Sequence, residues 1–136
     1  MLKILIAEDD RELRQLFSHV LVKNGYRVTG VANGRQALDA LDTEYYDMII
    51  SDIMMPEMDG YTLVRMLRET GCTTPVLMIT AKDAFDDMRL GFQFGVDDYM
   101  VKPINVNEMV LRVGALLRRA QMINERRQII GDTVLA

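Results

Sequence analysis

The sequence predicts an α/β fold in which five parallel strands and five helices form a doubly wound (βα)5 sandwich. Five short apolar runs recur at regular intervals along the 136 residues. Stretches with helical periodicity lie between these runs. The runs are continuous in Ile, Leu, Val and Met, which is typical of strands that helices cover on both faces of a parallel sheet.

The strand positions follow from the apolar runs, but the strand order does not. Right-handed crossovers connect parallel strands of one sheet, and we take the order 2-1-3-4-5 from the flavodoxin-like class of open sheets. The predicted strands cover residues 2–7, 26–32, 48–51, 76–80 and 99–101.

The helices are predicted from apolar stripes and from the residues at their ends. Asp10 and Asp83 are expected to cap the first and fourth helices, and Gly25 follows the first helix where a left-handed residue is favoured. Asn105 with Glu108 makes a capping box for the last helix. The stripes of the first and last helices comprise Leu13, Leu16, Phe17, Val20 and Leu21, and Met109, Val113, Leu116 and Leu117.

Composition excludes several classes of function. Sixteen basic residues against twenty acidic ones give a net charge of -4, and such a surface repels nucleic-acid backbones. Cys72 is the one cysteine and His19 the one histidine, so an internal disulfide and a multi-histidine metal site are both impossible. No apolar run approaches the roughly 20 residues of a membrane span, and the N-terminus lacks a signal-peptide pattern. We therefore expect a cytoplasmic domain with no membrane contact.

The last residues, 121–136, differ from the rest of the chain. A polar stretch is followed by IIGDTVLA, which resembles the beginning of a strand. We interpret this segment as a linker and the truncated start of a second domain, against the simpler alternative of a frayed terminus.

Polar residues cluster where the predicted strands end. Glu8 and Asp9 follow the first strand, Asp52 the third, Thr80 the fourth and Lys102 the fifth. If strands 1 and 3 are neighbours, Asp9 and Asp52 lie about 5 Å apart. Carboxylates this close require raised pKa values or a bound cation, and hard oxygen ligands favour Mg²⁺.

Other proteins that share this architecture are excluded by chemistry. Three acids in the first loop would repel a flavin phosphate, and neither GxGxxG nor GxxxxGK[ST] occurs. A Mg²⁺ phosphohydrolase is harder to exclude because its ligands are similar. However, Asp52 is followed by Ile53 and Met54, which cannot transfer protons.

Four blocks, ILIAEDD, SDIMMPEMDG, VLMITAKD and GVDDYMVKP, resemble the receiver domain of bacterial two-component response regulators. The resemblance implies a receiver domain over residues 1–120. The tail LLRRAQ…ERRQIIGDTVLA further resembles the subfamily whose receiver precedes a winged-helix DNA-binding domain. Such proteins regulate transcription, and DNA contact would then involve only the missing C-terminal domain.

The resemblance assigns a role to each acidic residue of the predicted pocket. Asp52 corresponds to the phosphoacceptor, which takes a phosphoryl group from a sensor histidine kinase. Asp9 corresponds to a direct Mg²⁺ ligand, Glu8 to a ligand through water, and the Met54 carbonyl to the third protein ligand. The domain is thus implied to be a phosphoacceptor switch rather than an enzyme.

The resemblance also implies how the switch works. Lys102 corresponds to the lysine that pairs with the phosphoryl oxygens, and Thr80 to the hydroxyl that moves to bond them. Tyr99 corresponds to an aromatic residue whose ring turns inward when the threonine moves. Pro103 follows the lysine where the family has a cis peptide.

In the implied subfamily the switched surface is a symmetric dimer. It is formed by the fourth helix, the fifth strand and the fifth helix. Asp98 with Arg112, and Asp97 with Arg119, occupy positions where charged pairs across the interface are found, and Glu108 belongs to the same surface. The alternative is that these are solvated charges, since exposed pairs are individually weak.

Two alternatives to a phosphorylatable receiver stay open at this point. One is a pseudo-receiver, a dimerisation module that is never phosphorylated, and the less favoured one is the phosphohydrolase. For the phosphorylatable receiver we expect a long-lived phosphoryl group. Met54 and Lys82 flank the site, and neither is suited to orienting an attacking water.

Overall fold

The computed structural model describes the backbone of residues 1–81 and 85–135, without the side chains of residues 85–88, 90 and 127–135. Strands and helices alternate throughout. The strands are β1 (Lys3–Ala7), β2 (Arg27–Val31), β3 (Met48–Asp52), β4 (Val76–Thr80) and β5 (Asp98–Val101). The helices are α1 (Arg11–Lys23), α2 (Gly34–Thr43), α3 (Gly60–Glu69), α4 (Phe85–Phe94) and α5 (Val106–Leu135).

All five strands form one parallel sheet in the order β2-β1-β3-β4-β5. The predicted fold class and strand order are confirmed, and no strand boundary differs from its prediction by more than one residue. In the register, Ala7 of β1 pairs with Ser51 of β3. The residues that follow this pair, Glu8 and Asp52, therefore meet at one edge of the sheet, which we call the carboxyl edge.

Two apolar layers hold the helices on the sheet. Ile4 and Ile6 of β1 face the layer beneath α1 and α5, whereas Leu5 faces the layer beneath α2 and α3. This alternation follows from the period of two in a strand. Because both faces are covered, β3 and β4 are buried at every residue. A sheet buried in this way leaves its polar chemistry at the strand ends.

The predicted helix ends are largely confirmed. Asp10 accepts hydrogen bonds from the second and third residues of α1, and Gly25 has φ 94° just past its end. Asn105 accepts from the backbone nitrogens of Asn107 and Glu108. The carboxylate of Glu108 binds the Arg112 guanidinium instead of the Asn105 backbone nitrogen, so only the Asn105 half of the predicted capping box forms. The predicted cap Asp83 lies outside the described residues.

The expectation of a strand near the C-terminus is wrong. In the structure α5 continues without interruption to Leu135. An isolated strand has no neighbour to accept its backbone hydrogen bonds, whereas a helix satisfies them within its own segment. Among the described helices, α5 included, none is long and apolar enough to cross a membrane.

Candidate functional site

Three carboxylates converge at the carboxyl edge, as the strand ends predict. Glu8 and Asp9 follow β1, and Asp52 is the last residue of β3. One oxygen of each lies within 4.8 Å of the others. Glu8 and Asp52 are buried, with 1% and 5% of their surface exposed, while Asp9 is exposed to solvent. The cluster is therefore a pocket that opens to solvent on the Asp9 side.

Lys102 places its ammonium among these carboxylates. Its Nζ donates a hydrogen bond of 2.6 Å to Asp52 Oδ2 and lies 3.3 Å from Glu8 Oε1. The residue follows β5 and precedes Pro103, and the peptide bond between the two is cis, as the resemblance implies. One cation thus faces two buried carboxyl groups, with the exposed Asp9 beside them, so the pocket holds more acidic than basic groups.

The environment of Glu8 reflects this excess. Burial, together with the charge of Asp52, raises the pKa of Glu8 from 4.5 to about 7, against a hydrogen bond from the Asp10 backbone nitrogen and the attraction of Lys102. Oε2 accepts that backbone bond at 3.1 Å. Oε1 is buried and accepts no hydrogen bond of normal geometry. Glu8 therefore offers a carboxylate oxygen that the protein itself does not fully satisfy.

Lys102 is held in its charged form. Partial burial opposes its charge, but the hydrogen bond to Asp52 and the attraction of Asp52 and Glu8 outweigh this effect and raise the pKa of Lys102 above its usual value. The ammonium is thus positive at every physiological pH. It can compensate charge on a further anion placed beside Asp52.

The residues at this edge fit a Mg²⁺ ion. The donors are hard carboxylate oxygens, one of them the incompletely bonded Oε1 of Glu8, and the exposed position of Asp9 leaves room for coordinated water. Met54 follows two residues after Asp52, and its backbone nitrogen donates to Asp52 Oδ1 at 3.2 Å. Its side chain is exposed, so only backbone atoms of Met54 belong to the pocket.

The loop after β3 is fixed against the sheet. The backbone nitrogen of Gly60 donates to the Ile53 carbonyl at 2.9 Å, and Glu57 adopts a left-handed conformation with φ 66°. A Cβ on Gly60 would lie 2.4 Å from the Asp52 carbonyl oxygen. The start of α3 consequently packs directly on the backbone of Asp52, which no other residue type would permit.

Arg14 of α1 also supports the site. Its Nη1 donates to the Glu8 carbonyl oxygen at 2.7 Å. The bond ties α1 to the loop that carries Glu8 and Asp9. Nothing in the local pattern distinguishes Arg14 from its neighbours Arg11 and Glu12, so this role was visible only in three dimensions.

The two predicted switch residues lie behind the pocket. Thr80 ends β4 and is buried, and its hydroxyl donates to the Ala81 carbonyl at 3.2 Å. Tyr99 lies on β5 with 5% of its surface exposed, so its ring points inward. Its hydroxyl donates to the Tyr61 hydroxyl at 3.2 Å, a contact that the sequence analysis did not foresee.

The charged residues predicted for an interface are partly engaged within the chain. Arg112 donates to both carboxylate oxygens of Asp98, at 2.9 and 3.1 Å, and to Glu108 at 3.0 Å. Arg119 is exposed. Asp97 instead accepts from Arg68 at 3.1 Å and from the Val76 backbone nitrogen at 2.7 Å, and the sequence analysis missed both partners.

The fold and this pocket define a class of doubly wound α/β proteins with an acidic cluster at the carboxyl edge. The model of the response regulator receiver domain matches residues 4–114. The chain belongs to that family.

Relatives and solved structures agree with this assignment. The chain is 43% identical over 121 residues to the transcriptional regulatory protein PcoR of Escherichia coli, covering 89% of this chain and 54% of PcoR. It is also 43% identical over 120 residues to CpxR of Escherichia coli K12, covering 88% and 51%. The receiver domain of the Francisella response regulator 1452 superposes with a TM-score of 0.84 at 35% identity, covering 88% of this chain and 99% of that domain. This chain thus spans about half the length of both transcriptional regulators.

Proposed function

We propose that Asp52 accepts a phosphoryl group from the phosphohistidine of a sensor kinase, and that the phosphorylated domain controls a transcriptional output. The observation that carries this proposal is the Asp52 carboxylate itself. It is buried at the carboxyl edge, bonded to Lys102 at 2.6 Å, and shares a cluster with Glu8 and Asp9. A nucleophile, a cation and metal-type ligands therefore occupy one pocket.

In the proposed transfer, a carboxylate oxygen of Asp52 attacks phosphorus. The bond from phosphorus to the kinase histidine nitrogen breaks, its electrons stay on the imidazole, and an acyl phosphate forms. Lys102 keeps a positive charge beside the transferred oxygens, so the chain contributes positioning and electrostatic stabilisation. Glu8, Asp9, Asp52 and the Met54 carbonyl would hold Mg²⁺, which neutralises phosphoryl charge when it is bound.

The new dianion would act on groups already in place. Lys102 turns from the carboxylate to the phosphoryl oxygens, and Thr80 exchanges its bond to the Ala81 carbonyl for one to the phosphoryl group. Thr80 pairs with Val101, two residues after Tyr99 on β5, so movement of Thr80 would bear on this strand and on Tyr99. This local change of charge biases the face formed by α4, β5 and α5.

We further propose that this face associates into a symmetric dimer. Exposed apolar side chains lie on all three elements, namely Phe92, Val101 and Leu111. Within one chain Arg112 already binds Asp98, so the dimer would exchange this contact for the same contact across a two-fold axis. A further domain, of the type that the relatives' names imply, would bind DNA. Residues 121–136 would be the linker to that domain.

Incubation with acetyl phosphate and Mg²⁺, followed by intact-mass measurement, tests the proposal. We expect the wild-type chain to gain the mass of one phosphoryl group and the Asp52→Asn variant to gain none. Asp42 is an exposed acid on α2, and Asp42→Asn is the matched control that should be labelled like wild type. Chelation of Mg²⁺ should abolish labelling of the wild type and of Asp42→Asn.

The same experiment separates the alternatives. Absence of a mass gain would contradict the proposal and favour an unphosphorylated dimerisation module, and an equal gain in Asp52→Asn would contradict Asp52 as the acceptor. Steady release of phosphate over many turnovers would favour a phosphohydrolase. We expect neither, since Ile53 is buried and Met54 carries no proton-transferring group. For the same reason we expect the phosphorylated chain to persist far longer than seconds.

A further inference from the structure

An aromatic cluster connects the phosphoacceptor loop with the proposed dimer face. Tyr99 of β5 packs edge-on against Phe92 of α4, with ring centroids 4.9 Å apart, and its hydroxyl donates to the Tyr61 hydroxyl of α3. Tyr61 in turn packs edge-on against Phe94 of α4 at 6.2 Å. The ring planes meet at 76° and 63°, an edge-to-face arrangement that aromatic rings prefer. The cluster therefore fixes the ring of Tyr99 from two separate helices.

Gly91 provides the space that Tyr99 occupies. A Cβ on Gly91 would lie 1.5 Å from the Tyr99 hydroxyl oxygen and 2.4 Å from Cε1 of Tyr61. Gly91 is buried in the interior of α4, where glycine is unfavourable by about 1 kcal/mol relative to alanine. Its backbone is not in the left-handed region, so the local conformation does not require glycine. The absence of a side chain is what admits the inward ring of Tyr99.

Tyr61 is tied to the phosphoacceptor by covalent neighbours and by packing. It directly follows Gly60, whose nitrogen binds the Ile53 carbonyl and whose Cα packs on the Asp52 carbonyl. A displacement of the Asp52 backbone would therefore move the base of Tyr61. The hydroxyl contact between Tyr61 and Tyr99 then connects this loop with β5.

We propose that Tyr61 is a positioning residue that holds the Tyr99 ring inward. The inward state also depends on the space left by the absent side chain of Gly91, which we call the notch. This rests on the proposed function, because it concerns how the receiver switch is balanced. The hydrogen bond between the Tyr99 and Tyr61 hydroxyls, which we call the latch, favours the inward ring before any phosphoryl group is attached. Phosphorylation of this chain would then stabilise an arrangement that is already populated, rather than create a new one.

Fluorine NMR on the 3-fluorotyrosine-labelled chain tests this directly. The chain has five tyrosines, and loss of a resonance in Tyr99→Phe assigns the one of interest. The solvent isotope shift between H₂O and D₂O reports exposure of that ring. We expect a small shift in the wild type and a larger one in Tyr61→Phe, because losing one hydrogen bond lowers the ratio of inward to outward rings about three- to tenfold.

Two further variants sharpen the result. Gly91→Ala should expose Tyr99 almost completely, since a methyl group would occupy the notch. Tyr45 is 72% exposed, and Tyr45→Phe is the matched control that should leave the Tyr99 resonance in place. Should Gly91→Ala not fold, Tyr61→Phe keeps the test intact because it removes only one hydroxyl. Urea unfolding of every variant separates a shift in ring position from a general loss of stability.

The proposal is overturned if the Tyr99 isotope shift in Tyr61→Phe equals that in Tyr45→Phe, or if folded Gly91→Ala keeps the ring inward. Labelling with acetyl phosphate in parallel distinguishes the two levels of inference. Labelled Asp52 with an unmoved Tyr99 means that the latch is wrong and the phosphoacceptor stands. Unlabelled Asp52 with an exposed Tyr99 means that the latch is right and the phosphoacceptor is wrong.

Discussion

Acidic side chains stand at both edges of the sheet, and the two groups are bound in opposite ways. At the amino edge each acid has its own partners. Asp47, which precedes β3, accepts a hydrogen bond of 2.8 Å from the Lys3 backbone nitrogen. Asp97, which precedes β5, accepts from the Val76 nitrogen and from Arg68. These carboxylates tie neighbouring strands together and have little capacity left for a ligand.

At the carboxyl edge the acids face one another. Glu8, Asp9 and Asp52 bring oxygens within 4.8 Å, and Lys102 is the cation that the two buried acids share. Burial makes this arrangement unfavourable for the isolated protein, because a charge taken from water must be compensated. The difference teaches that an acid with its own donor is structural, whereas acids that share one cation are available for chemistry.

The largest expected effect comes from removing the shared cation. Lys102→Met removes the cation that Asp52 and Glu8 share, so that Mg²⁺ alone would compensate the charge of a transferred phosphoryl group. We expect the rate of Asp52 labelling by acetyl phosphate to fall by about 100-fold or more. Lys3→Met, at the opposite edge, is the control and should be labelled at the wild-type rate. A Lys102→Met rate close to wild type would remove the basis for the comparison.

The next effect concerns the amino edge. Asp97→Ala removes the acceptor of the Val76 nitrogen and of Arg68, and we expect the free energy of unfolding to fall by about 2 kcal/mol. Urea denaturation measures this, with the exposed Asp42→Ala as control. Labelling of Asp52 should persist in Asp97→Ala. A variant as stable as the control would show that Asp97 is not a structural acid.

With a chelator present to remove divalent ions, we expect the ionisation of Glu8 to change the free energy of unfolding by on the order of 1–3 kcal/mol between pH 5 and 7. The pKa of Glu8 is about 7 in the folded chain and 4.5 in its ordinary state. The folded protein therefore binds the proton more tightly than the unfolded one, so stability is higher at pH 5 and declines as pH rises towards 7. Urea unfolding across this range should show the decline in wild type, and a flatter profile in Glu8→Gln. A wild-type profile that rises between pH 5 and 7 would contradict the account.

The smallest effect is expected from an exposed pair at the amino edge. Lys3 Nζ lies 3.1 Å from Glu44, and both side chains are in contact with solvent. Water screens such pairs. Glu44→Gln should leave the urea midpoint unchanged within error. A clear loss of stability would mean that surface pairs cannot be ignored when the two edges are compared.

Much of the architecture could be predicted because it depends on local patterns. The strand at 76–80 is a short apolar run ending in Thr80, a pattern typical of a strand that is buried on both faces. The convergence of Asp9 and Asp52 then followed from their positions after strands that the fold class places side by side. Lys102 was placed at the same edge by its position after the fifth strand, and the structure brings it to Asp52. Its pairing with phosphoryl oxygens stays a prediction.

What escaped prediction depends on contacts distant in sequence. Arg68 reaches Asp97 across 29 positions, and no local signal announces it. Tyr61 meets Tyr99 across 38 positions, through space that exists only because Gly91 has no side chain. The wrong strand after residue 128 has the same origin, since an apolar stretch fits strand and helix equally well until its neighbours are known.

A Mg²⁺ titration followed by thermal unfolding tests most directly whether the carboxyl edge is a cation site. We expect stability to rise with Mg²⁺, by about 1.4 kcal/mol when the ion is at ten times its dissociation constant. Asp97→Ala should gain the same stability when Mg²⁺ is added, although it is less stable than wild type without the ion. Asp9→Asn should gain almost no stability from Mg²⁺. A wild-type chain indifferent to Mg²⁺, or an Asp9→Asn variant that responds as wild type does, would contradict the account.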